Sequence, residues 1–388
     1  QASSSAASDV YKRQVEDASN APKFHMDRSQ YRDGLLQWFT NAHPNHSNIA
    51  VTDIDIPVAT GFSNETVFFG VSSNSDEGPH EGRYVARIEP EDGGMFPIQT
   101  PDCNISVALQ QRVMNTVKNN SDVPIPTLGK LITKPYLGLP FFVMVHVDGR
   151  IPSDRPRYTE EGFVVEEATD EQRTQMVQTG LEAMAGIHHI DWEKADLHWL
   201  NPCEGTPTQQ KQIEIYRSYV EKELAGREHP VMDYALDWLN HNNPNDERIG
   251  LSWGDARLGN IIWDNYTPAA VVDWEACSLC PTEADLGWWL MFDRMSFDDV
   301  DIERLSGYPT REEQAAYYAQ VSGKEVRDPH YWEVFAIMRF CAIFIRLGDR
   351  LTNSGLLPPE MNPAVGNMVT RSLANILEID NPTPSLIG

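Results

Sequence analysis

Asp255, Asn260 and Asp273 are the residues whose types and spacing could do chemistry. Asp255 sits in Ser252-Trp253-Gly254-Asp255-Ala256-Arg257-Leu258-Gly259-Asn260, a glycine-containing loop that leads into the apolar run Ile261-Ile262-Trp263. A turn-prone segment, 264–268, separates that run from Ala269-Ala270-Val271-Val272-Asp273-Trp274-Glu275. Two apolar runs around a polar, proline-containing turn read as a β-hairpin. With the turn centred on Tyr266 and Thr267, Asn260 and Asp273 face each other at its open end, about 5 Å apart as cross-strand partners are. An amide oxygen and a carboxylate so placed can share one hard cation, and Mg²⁺ favours oxygen ligands completed by substrate phosphates. Phosphoryl transfer needs a carboxylate to receive the acceptor hydroxyl's proton and a cation to neutralise the transferred group. An Asp beside a glycine is by itself an ordinary turn. The set of three carries the chemistry, with Asp255 as the base.

The surrounding sequence must hold this unit in place. Residues 27–41 read as a short helix, 51–57 and 82–88 as strands, and Val67-Phe68-Phe69 as a strand following the small polar turn 61–66. A helix is expected over 104–118 and an apolar strand over 140–147, stopped by Asp148-Gly149. Beyond that point the character changes: 170–190, 208–225, 229–241, 311–321, 330–350 and 364–378 all read as helices. The hairpin is the one β island among them. The expected fold class is α+β, a two-lobed arrangement of a small antiparallel β-sheet N-lobe and a larger, mainly helical C-lobe. Its divisions are a disordered tail over 1–22, a first lobe over 23–147, and a helical lobe over 148–388 carrying the catalytic loop and the substrate pocket.

Composition narrows the partners. With 57 acidic against 31 basic residues the formal net charge is −26, so the basic footprint that nucleic acid requires is missing. Two readings of the acidity stay open: a solvated surface that aids solubility, and a pocket that attracts a cationic substrate. No stretch reaches the roughly 18 uninterrupted apolar residues of a membrane span. Five cysteines spread along the chain make no disulfide framework, which fits the cytoplasm. A small hydroxyl-bearing substrate and a monomer or homodimer are expected.

Asp-x-x-x-x-Asn followed by an Asp on the next strand is the catalytic signature of protein kinases. The version here, Gly254-Asp255…Asn260…Asp273-Trp274-Glu275, more closely resembles the aminoglycoside phosphotransferase and choline-kinase-like family of the protein-kinase-like superfamily. Within it the chain is most similar to the branch with kinase domains fused to acyl-CoA dehydrogenases and their mycobacterial relatives. The resemblance runs from about Phe62 to Leu290 and includes Ser63-Asn64, Val123-Pro124-Ile125-Pro126, Phe141-Phe142-Val143-Met144 and Ile187-His188. It implies a two-lobed protein-kinase-like fold and an ATP- and Mg²⁺-dependent transfer to a hydroxyl of a small molecule. Asp255 is implied as base, with Asn260 and Asp273 holding Mg²⁺; Arg257, by its place two residues after the base, could touch the transferred phosphate. The loop 61–66, with Ser63, Asn64 and Thr66, would cover the ATP phosphates. Arg87 stands where the family places its strand lysine, and Val145 and Val147, after Met144, would offer backbone groups to adenine.

Three departures from the family pattern matter. Its His-Gly-Asp reads Trp253-Gly254-Asp255, which implies loss of the support that histidine gives. The strand lysine is Arg87, a wider and permanently charged fork. The usual helix Glu is replaced by Gln110 or Gln111, so an Arg–Gln contact is the most that could remain. These departures keep a second reading open, a nucleotide-binding regulatory module without turnover. A metal-dependent phosphoesterase is a third, and it would need a richer His/Asp cluster. His188 is expected to make a structural hydrogen bond, and Glu275, Glu283 and Asp285 to brace the catalytic loop rather than bind substrate. The acceptor stays open among aminoglycosides or macrolides, hydroxyacyl-CoA thioesters and other hydroxylated metabolites.

Overall fold

The computed structural model describes residues 26–57, 64–100, 102, 104–244 and 248–382. Helix α1 (Arg28–Ala42) opens on a capping box in which the Asp27 carboxylate takes the Ser29 and Gln30 amides, so two of the N–H groups that every helix start leaves orphaned are satisfied. Strands β1 (Ser47–Asp55), β2 (Glu65–Ser75), β3 (Gly78–Ile88) and β4 (Phe141–Val145) form an antiparallel sheet in that order. Its alternation puts Val67, Phe69, Val71, Ala86, Ile88 and Phe141 on one face, against Tyr31, Leu35 and Phe39 of α1.

Helix α2 (Ser106–Asn120) has no capping side chain of its own. The Glu89 carboxylate, one residue past β3, accepts from the Ser106 and Val107 amides at 3.0 and 2.9 Å. A carboxylate at a helix N-terminus is favoured by the helix dipole, and here it ties α2 to the strand that carries Arg87. The connection 89–105 also reaches the helical region. Tyr219 donates to the Met95 carbonyl at 2.7 Å, Gln212 to Gln99 at 2.9 Å, and Arg350 to the Gly93 carbonyl at 2.6 Å.

The rest is mostly helical: α3 (Phe163–Glu166), α4 (Asp170–His188), α5 (Gln209–Leu224), α6 (Pro230–His241), α7 (Glu283–Ser296), α8 (Arg311–Ser322), α9 (Pro329–Asn353) and α10 (Met368–Ile376). Two small antiparallel pairs lie among them, β5 (Ile249–Ser252) with β8 (Ser278–Pro281) and β6 (Ile261–Asp264) with β7 (Thr267–Val271). One apolar core joins α2, α4, the β6–β7 hairpin and Trp289 of α7, and another surrounds α9. The first of these draws on α2, so the sheet region and the helical region share a core. Helix α7 was not expected from the sequence. It is buried on all sides, and Gly287 lets it approach α9 so closely that a Cβ there would lie 2.3 Å from the Trp332 carbonyl oxygen. Among the described residues, no helix is long and apolar enough to cross a membrane.

Candidate active site

Asp255 follows Gly254, whose φ of +89° and close fit exclude a side chain: a Cβ there would stand 2.0 Å from the Ala276 carbonyl oxygen. The loop is held from below by Asp285 of α7. That carboxylate accepts from Ser252 Oγ at 2.7 Å, from the Trp253 amide at 2.7 Å and from the Gly254 amide at 2.8 Å, and it meets His188 Nε2 at 2.9 Å. Burial pushes the Asp285 carboxyl up, but His188 and the loop donors outweigh it and hold the group below the usual carboxylate value. His188 thus makes the expected structural bond, Asp285 is the loop's brace, and Glu283 is paired with Arg248.

The Asp255 side chain is nearly buried, which raises its pKa. The Arg257 guanidinium opposes that rise and the neighbouring Asp273 carboxylate adds to it. Oδ1 accepts from Trp288 Nε1 at 2.7 Å and from Arg257 Nε at 3.2 Å. Arg257 also donates to Asp154 at 2.6 Å, so it braces the carboxylate from the side. Asn260 donates its Nδ2 to the Asp255 carbonyl at 3.0 Å. No hydrogen bond among the described residues takes its amide oxygen, so that atom could serve as a cation ligand.

Asp273 lies one step further along than the hairpin arithmetic placed it. The turn residues are Asn265 and Tyr266, both left-handed, and Ala269 bulges out between the pairs Trp263–Pro268 and Ile262–Ala270. Val272 is therefore the residue opposite Asn260, with its amide 3.0 Å from the Asn260 carbonyl. Asp273 itself has a φ of +62°, and its Oδ1 accepts from Arg87 at 2.8 Å. Arg87 also donates to Thr66 Oγ1 at 2.8 Å. The expected Arg–Gln contact is not made: Gln110 donates to Asn64, and Gln111 to the Gly129 carbonyl. Arg87 pairs instead with Asp273, while Glu89 fixes the start of α2.

Trp253 does not leave its neighbour unsupported. Its indole N–H donates to the Val272 carbonyl at 2.9 Å, immediately before Asp273, and its ring packs on Trp274. On the nucleotide side, Ser63 lies outside the described residues. Asn64 is buried, with its Oδ1 held by Ser106 and Gln110 and its Nδ2 without a partner among the described residues. An unpaired buried donor is costly, and an anion above it would relieve that cost. Met144 stands on β4 opposite Val85. The Val145 amide is already given to the Thr127 carbonyl at 2.9 Å, so only its carbonyl could face a ligand. The Val147 amide has no hydrogen bond among the described residues.

A loop carboxylate, an amide and a second carboxylate on a hairpin, and an arginine reaching from a sheet thus converge on one place. A sequence profile of the phosphotransferase enzyme family matches residues 56–323, more than half of the chain. The chain belongs to that family. It is 25% identical over 247 residues to acyl-CoA dehydrogenase family member 10 of Mus musculus, covering 60% of this chain and 22% of that protein. With acyl-CoA dehydrogenase family member 11 of Homo sapiens it shares 24% over 212 residues, 53% of this chain and 26% of that one. The chain thus spans about a quarter of the length of these curated relatives.

Among solved structures, a candidate aminoglycoside phosphotransferase of Ralstonia eutropha superposes with a TM-score of 0.63 at 19% identity, over 90% of this chain and 98% of that one. The macrolide 2′-phosphotransferase MphH of Brachybacterium faecium gives 0.52 at 13%, over 90% and 99%. A thermostable mutant of aminoglycoside phosphotransferase APH(4)-Ia, solved with ADP and hygromycin B, gives 0.50 at 13%, over 89% and 98%. The fold is therefore the protein-kinase-like one. Trp288 and Arg339, both in contact with the Gly254-Asp255 step, are site residues that sequence reasoning missed.

Proposed function

We propose that this protein is an ATP- and Mg²⁺-dependent phosphotransferase that moves the γ-phosphoryl group to a hydroxyl of a small molecule, with Asp255 as its base. The observation that carries this is the joint placement of three side chains. Asp255 is anchored through Oδ1, Asn260 is locked by its nitrogen to the Asp255 carbonyl, and Asp273 is near enough to raise the Asp255 pKa. Asn260 and Asp273 offer oxygen atoms only. Among the described residues no group of three His, Cys, Asp or Glu side chains is arranged for a metal. Two protein oxygens completed by phosphate oxygens and water suit Mg²⁺. When bound there, the cation would neutralise charge on the phosphates. Near that point the carboxylates Asp154, Asp255 and Asp273 are paired with the guanidinium groups of Arg87 and Arg257.

Asp255 would take the proton of the acceptor hydroxyl. The Asn64 amide and Arg87 would face the phosphates, and the Val145 carbonyl and Val147 amide the adenine. The structural relatives bind or act on hygromycin B and macrolides, which with hydroxyacyl-CoA thioesters are the acceptors to try first. Two contacts weaken the non-catalytic reading: Trp253 supports Val272, and Arg87 is held by Thr66 and Asp273 where a helix Glu is lacking.

ATP with Mg²⁺ is expected to raise the melting temperature, because a ligand that binds only the folded state at 100 times its Kd contributes about 2.7 kcal/mol. No shift at millimolar ATP–Mg²⁺ would remove the nucleotide reading. An ADP-release screen over hydroxylated compounds then tests turnover. In the same assay Arg87→Ala should raise the KM for ATP about tenfold, the scale of a lost hydrogen bond to a charged group, and Arg87→Lys should recover part of it. An unchanged KM in Arg87→Ala would mean that the side chain serves only Asp273 and Thr66.

A further inference from the structure

The indole N–H of Trp288 has an unusual partner. Trp253, Trp263, Trp274 and Trp332 donate to backbone carbonyls, and Trp289 donates to the neutral amide of Gln314. Among the described tryptophans with a hydrogen-bonded indole, Trp288 alone meets a carboxylate, that of Asp255, at 2.7 Å. Packing alone does not call for this, since a buried indole N–H is satisfied by any acceptor. The ring is itself fixed. Phe292 and Phe340 pack on it at centroid distances of 5.7 Å each, and the Arg339 guanidinium lies 4.6 Å from its centroid. Arg339 is buried and donates to the Gly254 carbonyl at 2.9 Å. Helices α7 and α9 therefore hold one peptide step from two directions, by the carbonyl before Asp255 and by its carboxylate.

We propose that Trp288 is a positioning residue, whose indole N–H pins Oδ1 of Asp255 and so presents Oδ2 to the acceptor hydroxyl. The proposal rests on Asp255 being the base. The two oxygens of a free carboxylate exchange by rotation about a soft torsion. A charge-assisted bond from a donor that cannot itself turn removes that freedom. An indole donates and never accepts, so it favours the ionised carboxylate over the protonated one. It thereby counters the burial that pushes the Asp255 carboxyl up. Arg257 adds a second donor to Oδ1 but is shared with Asp154. Once the hydroxyl's proton has moved to Oδ2, the Trp288 bond to Oδ1 is retained, so the site need not rearrange during transfer.

The test uses the full chain with Trp288→Phe, with the shape-preserving analogue β-(3-benzothienyl)alanine at 288 (sulfur in place of the indole N–H), and with Asp255→Asn. In ¹⁵N NMR, the indole resonance missing from Trp288→Phe should shift in Asp255→Asn, because its acceptor loses its charge. In ADP release from ATP–Mg²⁺ with water as acceptor, the benzothienyl protein should keep wild-type melting temperature and KM for ATP. Its kcat should fall about tenfold or more, as a misplaced catalytic group does. Should Trp288→Phe not fold, the analogue decides. A Trp288 indole indifferent to Asp255→Asn, or an analogue with wild-type kcat, overturns the positioning role. If Asp255→Asn retains full turnover, the base assignment itself falls, a result distinct from failure of the analogue alone.

Discussion

Asp255→Asn is expected to leave ATP–Mg²⁺ binding intact and to lower phosphoryl transfer by about 10²-fold or more, the usual scale for a lost general base. The substitution keeps the size and plane of the side chain, and an amide oxygen can still accept from Trp288, so the loop should stand as before. What is lost is the group able to take a proton. As the proposed base Asp255 would work only when ionised, and burial raises its pKa above the ordinary carboxylate value. Wild-type activity should therefore fall on the acid side at a higher pH than an exposed Asp would give. Asp273→Ala should differ in kind. It removes a proposed cation ligand and strips Arg87 of its ion pair, so nucleotide binding and turnover should weaken together. Binding measured by calorimetry and turnover measured by ADP release separate the two variants. Wild-type transfer by Asp255→Asn would show that another group is the base.

The site was legible where chemistry dictates residue type, and illegible where packing alone does. Asp255, Asn260 and Asp273 could be found because the roles proposed for them require those side chains at short spacing in one loop and hairpin. The register between them was off by one. Bulges and left-handed turn residues, here Ala269 and the pair Asn265 and Tyr266, slip pairing without altering the apolar pattern. Most helices announced themselves by a 3.6-residue period because they bury one face. Helix α7 did not, since it is buried all round and shows no period. With it went Trp288 and the view of how α9 reaches Gly254. The pairing of β5 with β8 was hidden too: each strand is four residues long, and nothing local names the partner of so short a strand. Glu89 standing in for a helix side chain was equally invisible, because its partners are backbone amides 17 and 18 residues along the chain.

Asp285→Ala is expected to cost about 3 kcal/mol or more of stability, since each buried donor left without a partner costs about 1–3 kcal/mol. Natural domains are held by about 5–15 kcal/mol in all, so this is a large share. The reason lies in what the substitution strands. The amides of Trp253 and Gly254, the Ser252 hydroxyl and His188 Nε2 all meet this carboxylate, and in a dry interior none can turn to water. The loop that carries Asp255 loses its floor with them, so turnover should fall even in the fraction that stays folded. Asp285→Asn, which keeps an oxygen for part of the set, should fall between. The pair also sets a pH dependence. Burial lowers the His188 pKa from 6.5, so the ring stays neutral when folded, with Tyr318 on its other nitrogen at 2.7 Å. Asp285 is likewise held below its ordinary value. Both folded pKa values lie under the unfolded ones, so the unfolded chain binds more protons in acid and stability is lost as pH falls. The loss should begin near pH 6.5 and steepen toward 4, and His188→Gln should remove its upper part. Urea denaturation of the wild type, Asp285→Ala and His188→Gln between about pH 8 and pH 4 reads all of this. A wild-type midpoint for Asp285→Ala at neutral pH would mean that the loop stands without its brace, and that Trp288, Arg257 and Arg339 suffice to hold Asp255.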